Sequence, residues 1–144
     1  MWHFRSAPAD HTRLTVLENP GDSAGTDGVS LEMMKRRSML EANGHNVAVS
    51  SAYSWSEFPV AALEFDSEVA ITMMRNLFGS HITDFDNESA LTDAFEVSTM
   101  ALRRDLHNVL KAFRPDIIFV HNILCLPLHA AATVALTQLL RDTQ

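Results

Sequence analysis

A glycine-containing segment lies where a phosphate or another anion could bind. Residues 19–28 read Asn-Pro-Gly-Asp-Ser-Ala-Gly-Thr-Asp-Gly and lead into a helical pattern at Val29. Free backbone N–H groups at a helix N-terminus attract anions, and glycine lets a phosphate approach the backbone closely. The spacing fits neither the P-loop nor the dinucleotide fingerprint, and the Lys-Ser/Thr pair of the P-loop is missing. On spacing alone, a strand-to-helix turn whose glycines only serve the chain path is the favoured interpretation.

A second polar group follows an apolar run near the C-terminal end. His121 and Asn122 come directly after residues 116–120, which read Asp-Ile-Ile-Phe-Val. A histidine in this position could hydrogen-bond a sugar hydroxyl or transfer a proton. A histidine satisfied by neighbouring loop carbonyls is the alternative. His129 is expected to be a surface or helix-capping residue rather than a catalytic one.

Metal chemistry finds little support in the sequence. The pair Asp84 and Asp86 could hold a divalent cation, but it precedes a helix start at Asn87, where acidic residues complement the helix dipole, and this second interpretation is favoured. The seven histidines form no HExxH motif and no Cys/His cluster, so no zinc site is expected. The single cysteine, Cys125, is expected to be a small loop or core residue rather than a nucleophile. We therefore predict no metal and no cofactor.

Aromatic side chains follow the second predicted strand. Tyr53, Trp55 and Phe58 lie in a loop that should leave the edge of the sheet. Aromatic faces can stack on sugars and bases. A hydrophobic plug under the loop is the slightly favoured alternative.

These residues are positioned by alternating strands and helices. Short apolar runs predict strands at residues 14–17, 47–51, 60–65 and 116–120. Three- and four-residue periodicity predicts helices at residues 29–43, 67–78 and 89–113, and a last helix that starts at Pro127 and ends near Arg141. The run at 116–120 does not alternate, which is typical of a strand buried on both faces. The pattern predicts an α/β fold with a Rossmann-like, mainly parallel sheet flanked by helices. In such a sheet, ligands bind beyond the carboxyl ends of the strands.

Composition limits the classes of partner. The chain has 144 residues, of which 47% are hydrophobic and 20% are charged. A chain of this length can form one hydrophobic core, and folding should bury roughly 68% of the surface that the unfolded chain exposes. The net charge of −7 disfavours nucleic acid and anionic membranes as partners. A single cysteine, a polar N-terminal segment and the lack of an apolar run of about 18 residues favour a cytoplasmic location.

Two segments resemble the family 4 glycosyltransferases. Residues 25–33 (Gly-Thr-Asp-Gly-Val-Ser-Leu-Glu-Met) with residues 40–47 (Leu-Glu-Ala-Asn-Gly-His-Asn-Val) resemble the family's opening, in which a glycine-rich loop enters a helix and a Gly-His-x-Val turn starts the second strand. Residues 115–122 (Pro-Asp-Ile-Ile-Phe-Val-His-Asn) followed by Leu126-Pro127-Leu128 resemble a later segment of the same group. The matched order extends from about Leu14 to Arg141.

The resemblance implies the N-terminal half of a GT-B architecture. Such enzymes are typically metal-independent and transfer a sugar from a nucleotide sugar with retention. Their N-terminal domain mostly binds the acceptor, a sugar or a lipid-linked acceptor. The implied loop facing the donor phosphates comprises Gly25, Asp27, Gly28 and Val29, and the implied residues of the cleft and acceptor site are His121, Asn122 and Tyr53.

The same resemblance gives the expected domain organisation. Residues 1–13 are a polar leader, and residues 14–144 form a partial acceptor-side domain without the donor-binding C-terminal domain. The chain alone is therefore expected to be inactive in sugar transfer. The alternatives are a non-catalytic subunit that pairs with a separate donor-domain chain, and an unrelated Rossmann-like nucleotide binder. An unpaired sheet edge would favour self-association.

Overall fold

The sheet of this protein is parallel throughout the part that the structure describes. The computed structural model describes residues 13–18 and 28–142. Its strands are β1 (Arg13–Glu18), β2 (Asn46–Ser51), β3 (Phe58–Pro59) and β4 (Ile117–His121), in the spatial order β3-β2-β1-β4. Each neighbouring pair is parallel. The predicted α/β class with a mainly parallel sheet is therefore confirmed.

Among the described residues, four α-helices connect and cover these strands. They are α1 (Gly28–Ala42), α2 (Glu68–Phe78), α3 (Glu88–Phe113) and α4 (Ala130–Asp142). The first three match the predicted helices within two residues at each end. Within the described ranges, no helix combines the length and apolarity needed to cross a membrane.

Apolar side chains pack on both faces of the sheet. On one face, Met33 of α1 packs with Val47 and Val49 of β2 and with Phe119 of β4. On the other face, Ile118 and Val120 contact the larger cluster contributed mainly by α3 and α4. Because successive side chains of a strand point to opposite faces, one strand can serve both clusters. The fully buried members of the larger cluster include Leu63, Leu102, Leu106, Ala131, Ala132, Ala135 and Leu136.

Capping residues mark several helix ends. The Ser67 side chain accepts a hydrogen bond from the Ala70 N–H at the start of α2, and Asn87 does the same for Ala90 at the start of α3. Gly44 follows α1 with φ 82°, the left-handed conformation that glycine commonly adopts after a helix. These caps satisfy backbone groups that a helix leaves unpaired at its ends.

The predicted third strand at residues 60–65 is wrong. The third strand consists of Phe58 and Pro59, inside the predicted loop, and a 3₁₀ turn at Ala61–Leu63 follows it. The Val60 N–H donates to the Ser51 carbonyl at 2.7 Å, which extends the pairing by one hydrogen bond before the chain turns. Burial of Val60 and Leu63 favours the turn over continued pairing, because it brings both side chains into the larger cluster.

Two predictions near the last strand also need correction. The chain does not become helical at Pro127, because α4 begins at Ala130. The run at residues 116–120 is not buried on both faces: Ile117 is 46% exposed, and the rest of β4 is half-buried. Since β4 pairs only with β1 among the described strands, it lies at an edge where neither helical layer covers it fully.

Candidate functional site

Three strand ends bring the predicted site residues to one edge of the sheet. His121 is the last residue of β4 and pairs in register with Glu18, the last residue of β1. Tyr53 comes two residues after the end of β2, on the other side of β1. Parallel strands lie about 4.8 Å apart, so the ends of β2 and β4 are about 10 Å from each other. That is a ligand-sized separation at the carboxyl edge of the sheet.

His121 has an unused ring nitrogen at this edge. Its Nε2 atom is shielded from solvent and has no hydrogen-bond partner in the part of the chain that the structure describes. Burial lowers the pKa of His121 below its usual value of 6.5, and the nearby positive charge of Arg36 lowers it further, while Glu32 opposes both. The imidazole is therefore predominantly neutral near pH 7, and it can share a hydrogen bond with a hydroxyl group.

Helix α1 packs against β4 close to His121, since Met33 of α1 packs with Phe119. The Arg36 guanidinium lies 5.3 Å from the centroid of the Phe119 ring, and its Nη2 atom lies 3.6 Å from Glu32 Oε1. His121 and Phe119 are two residues apart on β4, so they share the face of the sheet that α1 covers. The middle of α1, around Arg36, thus borders the site.

Asn122 turns the chain away from the sheet. It has φ 63°, which asparagine tolerates better than most residues. Its carbonyl accepts hydrogen bonds from the N–H groups of Cys125 and Leu126, at 3.3 and 3.0 Å. The predicted loop after β4 is therefore a tight local turn, and the exposed Cys125 belongs to it, as expected.

The glycine-rich loop is described only at its end. Gly25 and Asp27 lie outside the described residues, whereas Gly28 and Val29 are the first two residues of α1. A Cβ added at Gly28 would meet no atom of the described residues within 4 Å, and Gly28 does not have a positive φ. The described fold thus does not require glycine at position 28, and the space beside its backbone is open.

The aromatic residues after β2 divide between the loop and the core. Tyr53 is half-buried, and its backbone N–H donates a hydrogen bond to Ser51 Oγ at 3.2 Å. Trp55 is 44% exposed. Phe58 packs against the larger cluster and meets Phe113 edge to face, with 5.8 Å between ring centroids. The plug interpretation thus holds for Phe58.

A carboxylate in the same loop was missed by the sequence reasoning. Glu57 Oε2 accepts a hydrogen bond from the Val49 N–H at 2.9 Å, and Glu57 Oε1 lies 2.7 Å from Arg37 Nη1. Burial works to raise the pKa of Glu57, but these hydrogen bonds outweigh it and the pKa is lowered. Arg37 also pairs with Glu41 one turn along α1, a spacing that was visible in the sequence.

Asp84, the first residue of the acidic pair before α3, has a structural role. Asp84 accepts two hydrogen bonds from Arg75, at 3.0 and 2.6 Å, and one each from Asn76 and Thr83. These donors, Arg75 first, hold the pKa of Asp84 well below its usual value. Asp84 therefore stabilises the loop between α2 and α3. The residue that caps the start of α3 is Asn87, not Asp84. No group of three potential metal-ligating side chains occurs among residues 28–142.

His129 was predicted to be a surface residue or a helix-capping residue. It is a capping residue, and it is buried. The Ala132 N–H donates to His129 Nδ1 at 3.4 Å, at the start of α4. The Nε2 atom lies 3.0 Å from the Ala62 carbonyl oxygen, so the neutral ring with a proton on Nε2 satisfies both contacts. Burial lowers the pKa of His129.

Comparison with protein-family models, with curated proteins and with solved structures gives no match for this chain.

Proposed function

We propose that this chain is the acceptor-side domain of a glycosyltransferase that takes its sugar from a nucleotide sugar. The proposal combines the resemblance of two sequence segments to family 4 glycosyltransferases with the chemistry available at the carboxyl edge of the sheet. The parallel order β3-β2-β1-β4, with helices on both faces, is compatible with the Rossmann-like half of a GT-B architecture.

The unpartnered Nε2 atom of His121 carries the proposal. A shielded ring nitrogen without a partner is costly, because the atom loses its hydrogen bond to water and gains none from the protein. A ligand hydroxyl at this position would remove that cost. A neutral imidazole can accept the proton of a hydroxyl hydrogen bond, which suits a sugar acceptor better than an imidazolium would.

The start of α1 supplies the second half of the proposed site. Backbone N–H groups in the first turn of a helix favour an anion such as a diphosphate. The open space beside Gly28 leaves this backbone accessible to a ligand. His121 would then hydrogen-bond a hydroxyl of a sugar bound in the cleft, that of the acceptor or of the nucleotide sugar, and the first turn of α1 would approach the donor phosphates.

The test is a titration of the ¹⁵N-labelled chain with UDP-glucose and GDP-mannose, followed by amide chemical shifts. We expect shifts at Gly28, Val29 and Asn122, and binding at least about tenfold weaker in His121→Ala, because one good hydrogen bond is worth about 1.4 kcal/mol. Gly28→Val should also weaken binding, since a side chain there would occupy the open space without a clash in the fold.

His107→Ala is the matched control, because His107 is an exposed histidine on α3. It should bind like the unchanged chain. Absence of shifts with both nucleotide sugars at millimolar concentration would contradict the proposal. Shifts confined to another surface, unaffected by His121→Ala, would also contradict it and would indicate an unrelated nucleotide-binding site.

A further inference from the structure

Strand β4 is an open edge of the sheet within the part of the chain that the structure describes. It pairs with β1 on one side and with no described strand on the other. Its first four residues, Ile117 to Val120, form no backbone hydrogen bond to a described residue outside the pairing with β1. An edge strand presents a row of unpaired N–H and C=O groups to its surroundings. The outward-facing backbone groups of β4 are therefore available to another strand.

Strand β4 lacks the features that usually prevent pairing at an edge. Such features are lysines, prolines and β-bulges within the edge strand. Residues 117–121 read Ile-Ile-Phe-Val-His, with no lysine, carboxylate or proline among them. The register with β1 runs without an extra residue from the pair Leu14–Ile117 to the pair Glu18–His121. The residue types of β4 are also those that favour strands, so its edge is suited to accept one.

A groove with a volume of about 1250 Å³ runs beside β4. Its apolar lining includes Leu110 of α3, Ile118 of β4 and Leu140 of α4. Ile118 packs against the larger cluster, so the groove lies on the face of the sheet that α3 and α4 cover. A strand added to β4 would direct every second side chain to this face. The groove can therefore receive those side chains.

Two positive charges without a carboxylate partner line the same groove. Lys111 and Arg114 are exposed, and neither forms an ion pair within residues 28–142. Asp116 is the one carboxylate among the described lining residues, which also include His107. With histidine neutral, two cations and one carboxylate give this lining a positive balance, whereas the whole chain carries a net charge of −7. The groove is thus a basic surface on an acidic protein.

We infer that the edge of β4 binds an extended acidic segment of a partner protein, which adds a strand to the sheet and places carboxylates beside Lys111 and Arg114. Backbone hydrogen bonds supply the affinity in this mode of binding, and the side chains supply the specificity. The complementary charges steer the segment to this edge. A polypeptide fits better than a phosphate backbone or lipid headgroups, because another strand donates and accepts hydrogen bonds at the spacing of the edge.

A second copy of this chain fits the edge less well. Two β4 strands related by a two-fold axis run antiparallel, so the start of one lies beside the end of the other. Residues 122–128, which follow β4, read Asn-Ile-Leu-Cys-Leu-Pro-Leu and carry no charge. Lys111 and Arg114 lie near the start of β4 and would still have no carboxylate partner in such a dimer. The charges of the groove therefore favour an acidic partner over a second copy.

Synthetic peptides of about eight residues, mixed with the full chain, test the inference. Valine alternates with threonine in each peptide, and a pair of glutamates stands at the N-terminal end of one and at the C-terminal end of the other, because an added strand can be parallel or antiparallel. We expect at least one of them to slow amide hydrogen exchange at residues 117–120. Replacement of the glutamates by lysines should weaken binding about tenfold, because two exposed ion pairs are lost.

Variants of the chain and of the peptide separate charge from backbone pairing. Lys111→Glu should weaken binding of the glutamate peptide about fivefold or more, and the double variant with Arg114→Glu should bind the lysine peptide more tightly than the glutamate peptide. Lys35→Glu is the matched control, because Lys35 is exposed on α1 and the net charge changes equally. Methylation of every second backbone nitrogen of the peptide should abolish binding, since it removes N–H donors without altering the charges.

Four results would overturn the inference. The first is unchanged exchange at residues 117–120 with either glutamate peptide at millimolar concentration. The second is equal binding of the glutamate and lysine peptides to a chain with unaltered circular dichroism. The third is full binding by the methylated peptide, which would show a contact through charge alone. The fourth is slowed exchange at β4 on self-association without any peptide, which would assign the edge to a second copy.

Discussion

Acidification should destabilise the fold through His129. This side chain is only 6% exposed, and its Nδ1 atom accepts the Ala132 N–H that would otherwise be unpaired at the start of α4. Protonation places a hydrogen on Nδ1, which removes the acceptor and adds a positive charge at the positive end of the helix dipole. Burial, the largest cause, lowers the pKa of His129 in the folded chain, while the Ala62 carbonyl opposes it.

The sign and size of the effect follow from linkage. A histidine whose pKa is lowered by folding binds more protons in the unfolded chain than in the folded one. The stability that neutral His129 contributes to the fold is complete at pH values above 6.5, its pKa in the unfolded chain. This stability is lost as the pH falls below 6.5. Each pH unit costs at most about 1.4 kcal/mol, so between pH 6.5 and 5.0 the loss is at most about 2 kcal/mol. That is a large share of a typical folding free energy of about 5–15 kcal/mol.

The assay compares urea unfolding of the unchanged chain and His129→Asn between pH 7.5 and 5.0. Asparagine keeps a side-chain acceptor for the helix start but does not titrate. We expect the variant to be less stable at pH 7.5 by about 1 kcal/mol, because the smaller side chain leaves contacts unfilled, and to lose less stability on acidification. His107→Asn, at an exposed position, should follow the unchanged chain. Parallel pH profiles for the unchanged chain and His129→Asn would refute the reasoning.

Three further substitutions test the packing and the backbone. Thr99→Val should raise the free energy of unfolding by about 1 kcal/mol, because the buried Thr99 hydroxyl has no partner within the described chain; a lower urea midpoint would contradict this. Glu57→Gln should lower it by about 0.5 kcal/mol, discounted because the side chain is 40% exposed, and the difference should shrink in high salt. Gly44→Ala should cost about 1 kcal/mol, since φ is 82° there. Gly28→Ala is its control and should not lower the thermal midpoint, because a Cβ has open space at that position.

The sequence predicted the longer helices well because their signals are local. The apolar face of α3 repeats over 26 residues, and Asn87 is a capping residue at the predicted place. The third strand was not predictable in this way. Its two residues, Phe58 and Pro59, are held by contacts to β2, including the hydrogen bond from Ser50 Oγ to the Phe58 carbonyl at 2.7 Å. No local pattern encodes such a contact.

The candidate site was predictable only in outline. The place of His121 follows from chain order, since a polar residue that ends a parallel strand lies at the carboxyl edge of the sheet. Its surroundings could not be read in the same way. Arg36 and Arg37 interrupt the apolar stripe of α1, and their partners Phe119 and Glu57 are distant in sequence. Only the folded arrangement shows that these arginines face the sheet and the loop after β2.

The two left-handed residues at either end of β4 protect the strand from slipping. Arg114 has φ 53° and Asn122 has φ 63°, one on each side of an apolar run that does not alternate and would specify its register weakly. A shift by one residue in one direction would bring Pro115 and Ile123 into these conformations. Proline cannot adopt a positive φ, and a β-branched residue does so only at high cost. The alignment of β4 with β1 is therefore set by two backbone conformations, and loss or gain of a single residue between them should be tolerated poorly.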